Sequence, residues 1–324
     1  MPFSTASQWF GMGVEVTRGT PVALSHFFPL KSPDWTPDLL MLEDVGIRGS
    51  QADVYDQVAG MRSDTFQFDT SVYADTFPAL LRAALGSVDT VTGAGPYTHV
   101  IGVLNQASTQ TGTAAGQPPA QTLGYFDGLD FNQLPASQLD SLSLKWSATE
   151  LLTATMKFIC NPATQITAPT DTFSSVPPIP TWNAVLSIGG TPVTRMVSGE
   201  FPLLRNTKAI PAVTGTQAYY LNFAGPLSTK GGKITVIMEA DTELDYFLAN
   251  TKGLALDAKW SDGGGNSVEL HYNAVLWGKS KKNPGKEWME VDLTFQGQPN
   301  ATDAVAGGLA AIKTTTINSV SSAY

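Results

Sequence analysis

Two stretches of the chain repeat one pattern of apolar and polar positions. From Phe66 to Gly86 (FQFDTSVYADTFPALLRAALG), Phe66, Phe68, Thr70 and Val72 alternate with Gln67, Asp69, Ser71 and Tyr73, the period of two of a half-buried strand. Ala74-Asp75-Thr76 breaks the alternation, and Phe77, Leu80, Leu81 and Ala84 then share one helical stripe, which predicts a short helix. Asp75 stands where a carboxylate can cap free N–H groups, Pro78 has no N–H to waste, and Gly86 can take the left-handed stop. The pattern returns from Lys233 to Gly253 (KITVIMEADTELDYFLANTKG): Ile234, Val236 and Met238 alternate, Asp241 repeats the cap, Leu244, Phe247 and Leu248 repeat the stripe, and Gly253 repeats the stop.

The spacing makes the two stretches one repeat. From Asp75 to Asp241 is 166 positions, and from Leu81 to Leu248 and from Gly86 to Gly253 is 167, so one residue inserted after the cap reconciles them. A later strand ends as Lys157 to Pro162 in one half and Thr294 to Pro299 in the other, 137 positions apart. The first half therefore carries an insertion, placed at residues 87–122, where only Tyr97–Leu104 is dense enough for a strand. Further strands are predicted at 23–29, 39–48, 53–61, 123–131, 139–146 and 152–159. In the second half they fall at 183–188, 195–203, 218–223, 233–238, 254–260, 267–277 and 287–295. Residues 161–180 hold five prolines without helical period and read as a linker. The organisation is an N-terminal arm (1–22), a β domain (23–160), the linker, a second β domain (181–299) and a C-terminal arm (300–324). The fold class is mainly β: two tandem β-sandwich or barrel domains, each with one short flanking helix, plus extended arms and loops.

Composition sharpens this picture. Charged residues are 15% of the chain, against about 25% in typical soluble domains, so much of the surface is expected to face protein. The net charge of −9 argues against a surface that grips nucleic acid, which needs clustered Lys and Arg. The N-terminus has no signal-peptide pattern and no run is apolar enough for a membrane anchor.

Candidate chemistry is sparse. His26, His99 and His271 lack the spacing of metal ligands, and Cys160 stands alone on an apolar strand as a small hydrophobe. Gly11-Met12-Gly13 lacks the rest of a dinucleotide fingerprint, and neither a phosphate-binding GxxxxGK[ST] loop nor a GxSxG elbow occurs. Glu239, Asp241, Glu243 and Asp245 crowd a helix N-terminus, which the helix dipole explains. Lys279, Lys281, Lys282 and Lys286 surround Asn283-Pro284-Gly285, either as a solvated hairpin tip or as a contact for an acidic neighbouring subunit. No catalytic residue, cofactor or metal is expected, and the chain reads as a building block.

In this light the chain resembles the tail tube proteins of long-tailed, siphovirus-type bacteriophages, in a large, duplicated form. The resemblance rests on Gly13-Val14-Glu15 with Arg18-Gly19-Thr20, on Leu42-Glu43-Asp44 to Arg48-Gly49-Ser50, and on the first repeat. In the second half it rests on Val197-Ser198-Gly199-Glu200-Phe201, Gly225-Pro226-Leu227, Gly231 to Val236, and the second repeat. It covers most of residues 10–300. It implies tube-like β domains, self-association into rings, stacking of rings with other tail proteins, and DNA only in passage through the lumen. It also implies a place in the virion tail after assembly in the host cytoplasm. Trp9, Phe10, Arg48, Lys281, Lys282, Leu309 and Ile312 are the expected inter-subunit contacts, and Asp75, Leu81, Gly86, Asp241, Leu248 and Gly253 the landmarks of the repeat. Two stoichiometries stay open: a trimer with pseudo-sixfold symmetry, or a hexamer with the second half outside or above the tube. A secreted or virion-surface carbohydrate- or cell-binding sandwich is the rival class; its clustered aromatics are not evident, since the tryptophans are scattered. Removal of residues 300–324 is expected to leave a folded chain that assembles poorly.

Overall fold

A computed structural model describes residues 5–46, 48–49, 53–106, 108–239, 242–284 and 287–324. The first half contains β1 (Trp9–Val14), β2 (His26–Pro29), β3 (Lys31–Asp44), β4 (Asp56–Ser71), α1 (Phe77–Leu85), β5 (Thr90–Thr92), β6 (Tyr97–Gly102), β7 (Gln121–Phe126), β8 (Phe131–Ser147), β9 (Thr153–Cys160) and β10 (Thr164–Ile166). The second contains β11 (Ala184–Ile188), β12 (Thr191–Val193), β13 (Met196–Leu204), β14 (Lys208–Ile210), β15 (Leu221–Phe223), β16 (Gly232–Ile237), α2 (Thr242–Leu248), β17 (Lys252–Ser261), β18 (Ser267–Trp277), β19 (Lys281–Asn283), β20 (Glu290–Gly297) and β21 (Lys313–Asn318). The protein is mainly β, as the alternation predicts.

The pairing follows one plan twice. In the first half the antiparallel order is β2-β1-β7-β8-β9-β4-β3, with β10 beside the start of β8. In the second it is β12-β11-β17-β18-β20-β16-β13, with β21 beside the start of β18. Each helix lies between the same two strands of this order, after β4 in one half and after β16 in the other. The insertion contributes β5 and β6, and β6 continues the second half's sheet by pairing with β21.

The halves share one apolar core. Phe10, Phe66, Phe68 and Phe158 pack together in the first half, with Phe10 and Phe68 ring centroids 4.3 Å apart. Trp146 of β8 meets Phe201 of β13 at 4.7 Å and Trp260 of β17 at 5.3 Å, so the aromatic packing crosses from one half into the other. Each such ring removes about 150–250 Å² from water.

Helix α1 fulfils its pattern: Phe77, Leu80, Leu81 and Ala84 are buried, and Gly86 ends the helix at φ 92° with its N–H donating to Arg82 O. Its start differs from expectation. Thr76 is the N-cap, without a side-chain cap, because Phe77 N–H already donates to Tyr73 O at 2.9 Å and Pro78 needs no partner. The Asp75 carboxylate instead accepts the Ser174 hydroxyl at 2.7 Å, holding the proline-rich segment against the body. The second helix departs further. Leu248 is 67% exposed, Asn250 turns left-handed, and Gly253 lies inside β17 rather than at a helix stop. Tyr246 takes the place on the sheet by stacking on Trp277 at 5.5 Å. Asp241 lies outside the described residues.

Neither arm is free. β1 sits between β2 and β7, Phe10 is fully buried, and Trp9 packs on Phe27, Phe126 and Phe131. Gly11 and Gly13 are strand residues at close approaches: a Cβ at Gly13 would stand 2.5 Å from Ala23 O. β21 fills the gap between β6 and β18, and Ile312 is fully buried. Its inward side chains are polar: Thr314 donates to Ile101 O at 3.0 Å and Asn318 to Ala74 O at 2.7 Å. A hydropathy pattern misses such a strand. Tyr324 docks behind it, donating to Asp75 O and accepting from Asn318 at 2.9 Å, with the His26 ring tilted against its own at 5.2 Å.

Two outcomes follow from this packing. Removal of residues 300–324 exposes the edges of β6 and β18 and opens the core at Ile312, so the truncated chain is expected to lose its cooperative unfolding transition; a chain that keeps its denaturation midpoint would contradict the described role of β21. His26 is held down to about 4 by burial and by the neighbouring Arg82 charge, below its ordinary unfolded value of about 6.5. Below 6.5 the unfolded chain takes the proton first, so stability is full above 6.5 and falls between 6.5 and 4, by about 2 kcal/mol after allowance for partial exposure. Urea titrations across that range should show the slope, and His26→Gln should flatten it.

Candidate assembly surfaces

β8 is shared by two neighbourhoods. Its first part, through Ser137, pairs with β7, and Ser141–Ser147 pair on the same edge with β13 of the second half. The strand can change partner because it bends at Ala136, which holds φ 50°. An alanine there costs about 1 kcal/mol relative to glycine, and the bend turns the N–H and the C=O of Ala136 out of the ladder. Both freed groups find partners. Ala136 N–H donates to Glu15 Oε1 at 2.8 Å, and Ala136 O accepts from Asn222 Nδ2 at 3.0 Å.

Glu15 is buried and also accepts Gly19 N–H at 2.6 Å and the Thr122 hydroxyl at 3.1 Å. Burial raises its pKa, against the pull of these three hydrogen bonds and of Arg18. Arg18 in turn donates to Asn222 O at 2.7 Å, tying the first half to the second. The Gly13-Val14-Glu15 and Arg18-Gly19-Thr20 motifs thus form one structure: a carboxylate that fixes the bend, and a guanidinium that fixes its neighbour.

The seam beyond the bend is a seven-residue ladder from Ser198 opposite Ser147 to Leu204 opposite Ser141. Gly199 is required there, since a Cβ would stand 2.2 Å from the Trp146 ring and 2.8 Å from Lys233 O. On the outward face Glu200 lies opposite Lys145, with Nζ 3.6 Å from its carboxylate, and accepts the Ser143 hydroxyl at 2.5 Å. Past the seam Arg205 is buried and donates to Ala84 O at 2.7 Å and Leu85 O at 3.0 Å, closing the C-terminus of α1. Burial lowers its pKa to about 10.

Several strands pair on one side only among the described residues, β2, β5, β10 and β12 among them, and two further free edges border exposed apolar and basic surface. One is the outer edge of β3, a strand exposed along nearly its whole length. Its outer part with β4 forms a hairpin that displays Leu39, Leu40, Met41, Leu42 and Val58. The other is the outer edge of β19, whose opposite edge pairs with β20. Of the expected contact residues, Arg48 lies near the hairpin tip, where it pairs with Asp44 and sits 5.1 Å from the Tyr55 ring. Lys281 and Lys282 are exposed on β19, and Leu309 is exposed. Trp9, Phe10 and Ile312 are not surface residues but core. Lys286 lies outside the described residues.

Groups with chemical potential have structural partners. His99 contacts Asp89 Oδ2 at 2.7 Å and Asn318 Oδ1 at 3.0 Å. Asp257, Glu269 and His271 place possible ligand atoms within 4.8 Å of one another, but His271 Nδ1 pairs with Asp257 and its Nε2 lies 3.4 Å from Asp303. The cluster thus anchors the C-terminal segment. Cys160 is buried, and burial pushes its thiol up to about 12.

A β body with an elaborated internal seam, unpaired outer edges and an exposed apolar hairpin is the anatomy of a self-assembling structural subunit. The sequence matches the phage tail tube protein family over residues 8–297, and the chain belongs to that family. No curated protein matches it. As a tail tube protein it is a structural component of the virion tail that assembles with copies of itself into stacked rings.

Glu15→Ala strands the Ala136 N–H and the Thr122 hydroxyl in a buried site and is expected to cost about 2–4 kcal/mol in chemical denaturation. Gly199→Val drives a branched side chain into Trp146 and should cost about 3 kcal/mol; an unchanged midpoint for either would contradict the geometry of the seam.

Proposed function

We propose that this chain builds the tube of a long, flexible phage tail from rings whose lumen conducts DNA during genome ejection. Its role is structural rather than catalytic. The observation that carries the reading is the repeated strand order, joined through a paired seam. We take that repetition as the mark of an ancestral duplication. Two such units in one chain do the work of two single-unit subunits, so three chains supply six similar positions around a ring. A ring of this kind alternates two kinds of joint, one within a chain and one between chains. The in-chain joint supports this arrangement over a hexamer, because the second unit sits beside the first in a shared sheet rather than apart from it.

Charge is compatible with conduction. A chain of net charge −9 repels phosphate over about 8 Å at physiological ionic strength, which favours passage over retention. The apolar hairpin of β3 and β4 offers contact area for neighbouring copies. Subunit synthesis and ring assembly in the host cytoplasm complete the reading.

Averaged end-on electron micrographs of the purified assembly, with the mass per ring, test it. Three chains per ring and six similar lobes around an open centre are expected. Six chains per ring with one half of each chain outside the wall would refute the trimer, and a protein that forms neither rings nor tubes would refute the function.

A further inference from the structure

The seam inside the chain supplies a template for the joint between chains. The ladders set the two halves in correspondence. Gln67 of β4 faces Lys157 of β9, as Lys233 of β16 faces Thr294 of β20. Asp34 faces Gln67 and Glu200 faces Lys233, so Asp34 of β3 holds the position of Glu200 in β13. On the other side of the body, Ser143 of β8 faces Thr155. Lys281 of β19 faces Asp292, two residues before Thr294 as Thr155 is two before Lys157. Lys281 therefore holds the position of Ser143, Lys279 that of Ser141, and Asn283 that of Lys145. β18 and β19 together are the counterpart of the long β8, interrupted at Gly278.

The edge of β8 over Ser141–Ser147 is filled by β13. Its counterpart edge, residues 279–283, pairs with no strand among the described residues, and neither does the outer edge of β3, the counterpart of β13. Resting on the ring reading above, we propose that β3 of one copy pairs antiparallel with residues 279–283 of the next. In the register inherited from the seam, Asp34 lies opposite Asn283, Thr36 opposite Lys281 and Asp38 opposite Lys279.

Charge supports this occupant. Asp34, Thr36 and Asp38 alternate onto one face of β3, and Lys279, Lys281 and Asn283 onto one face of the partner segment. Within the chain Ser143 donates to Glu200; across chains the ammonium of Lys281 stands where that hydroxyl does, beside the carboxylate of Asp34. Two acidic side chains thus meet two lysines where the internal seam has a single ion pair. Pro33 and Pro37 lie on β3, and proline on an edge strand withholds donors from unselective pairing. The joint is then selected by charge as well as by backbone bonds. It is head-to-tail, so it closes a ring without making a symmetric dimer.

The test is disulfide trapping in assembled protein. Side chains directly opposite in an antiparallel pair have Cβ atoms about 4.5–5.5 Å apart, near the reach of a disulfide. Thr36→Cys with Lys281→Cys should give inter-chain multimers on oxidation, whereas Thr36→Cys with Lys282→Cys, on the opposite face, should not; Cys160 is buried and does not compete. Tubes in the electron microscope with no 36–281 product, or with the 36–282 product instead, would overturn this joint while leaving the tube function standing. Absence of rings and tubes from the unmodified protein would overturn both. A charge exchange covers the case in which the cysteine variants fail to fold. Asp38→Lys alone and Lys279→Asp alone should each raise the concentration needed for ring formation by about tenfold, and the double variant should restore it. Failure of the double variant to restore assembly would overturn the pairing.

Discussion

The fold depends on one bend, at Ala136 of β8. Without it β8 would run on beside β7, and its later edge would not meet the second half of the chain. The bend costs a left-handed alanine and two peptide groups removed from their ladder. Glu15 and Asn222 satisfy those groups from opposite directions in the sequence, and Arg18 links the two sites. A buried carboxylate is tolerated because three donors converge on it.

The bend sets the assembly logic. A β-sheet edge that is neither paired nor covered is an invitation to further strands. This chain closes one such edge internally, with Trp146 and Phe201 packed behind it and Arg205 anchoring the far side on α1. The corresponding edges, of β3 and of residues 279–283, pair with no strand among the described residues, one acidic and one basic. A subunit of this design is finished only by its neighbours, which fits a family whose members act as stacked rings.

Much of this was legible in the sequence, and the exceptions have physical causes. The repeat announced the strand–helix units and the fold class because period-two and period-3.6 patterns record burial directly. It overstated the likeness of the helices: Leu248 lies at the spacing of Leu81, but Tyr246 stacking on Trp277 displaces it. Asp75 had the identity of a cap, yet a backbone turn at Tyr73 had already used the donor. Both arms belong to the body, for reasons a hydropathy pattern hides. Glycines in β1 serve close packing, and β21 buries Thr314, Thr316 and Asn318, which carry no hydrophobic signal. The lysines of β19 were visible as a cluster, with an acidic neighbour among their readings. Their partner strand could be named only after the ladders aligned the halves.

Amide hydrogen exchange on the free subunit and on assembled tubes tests the central claim most directly. The internal seam, residues 141–147 and 198–204, is predicted to be protected in both states, while residues 34–38 and 279–283 exchange quickly in the free subunit and become protected on assembly. Tubes in which those two segments exchange as fast as in the free chain would contradict the account.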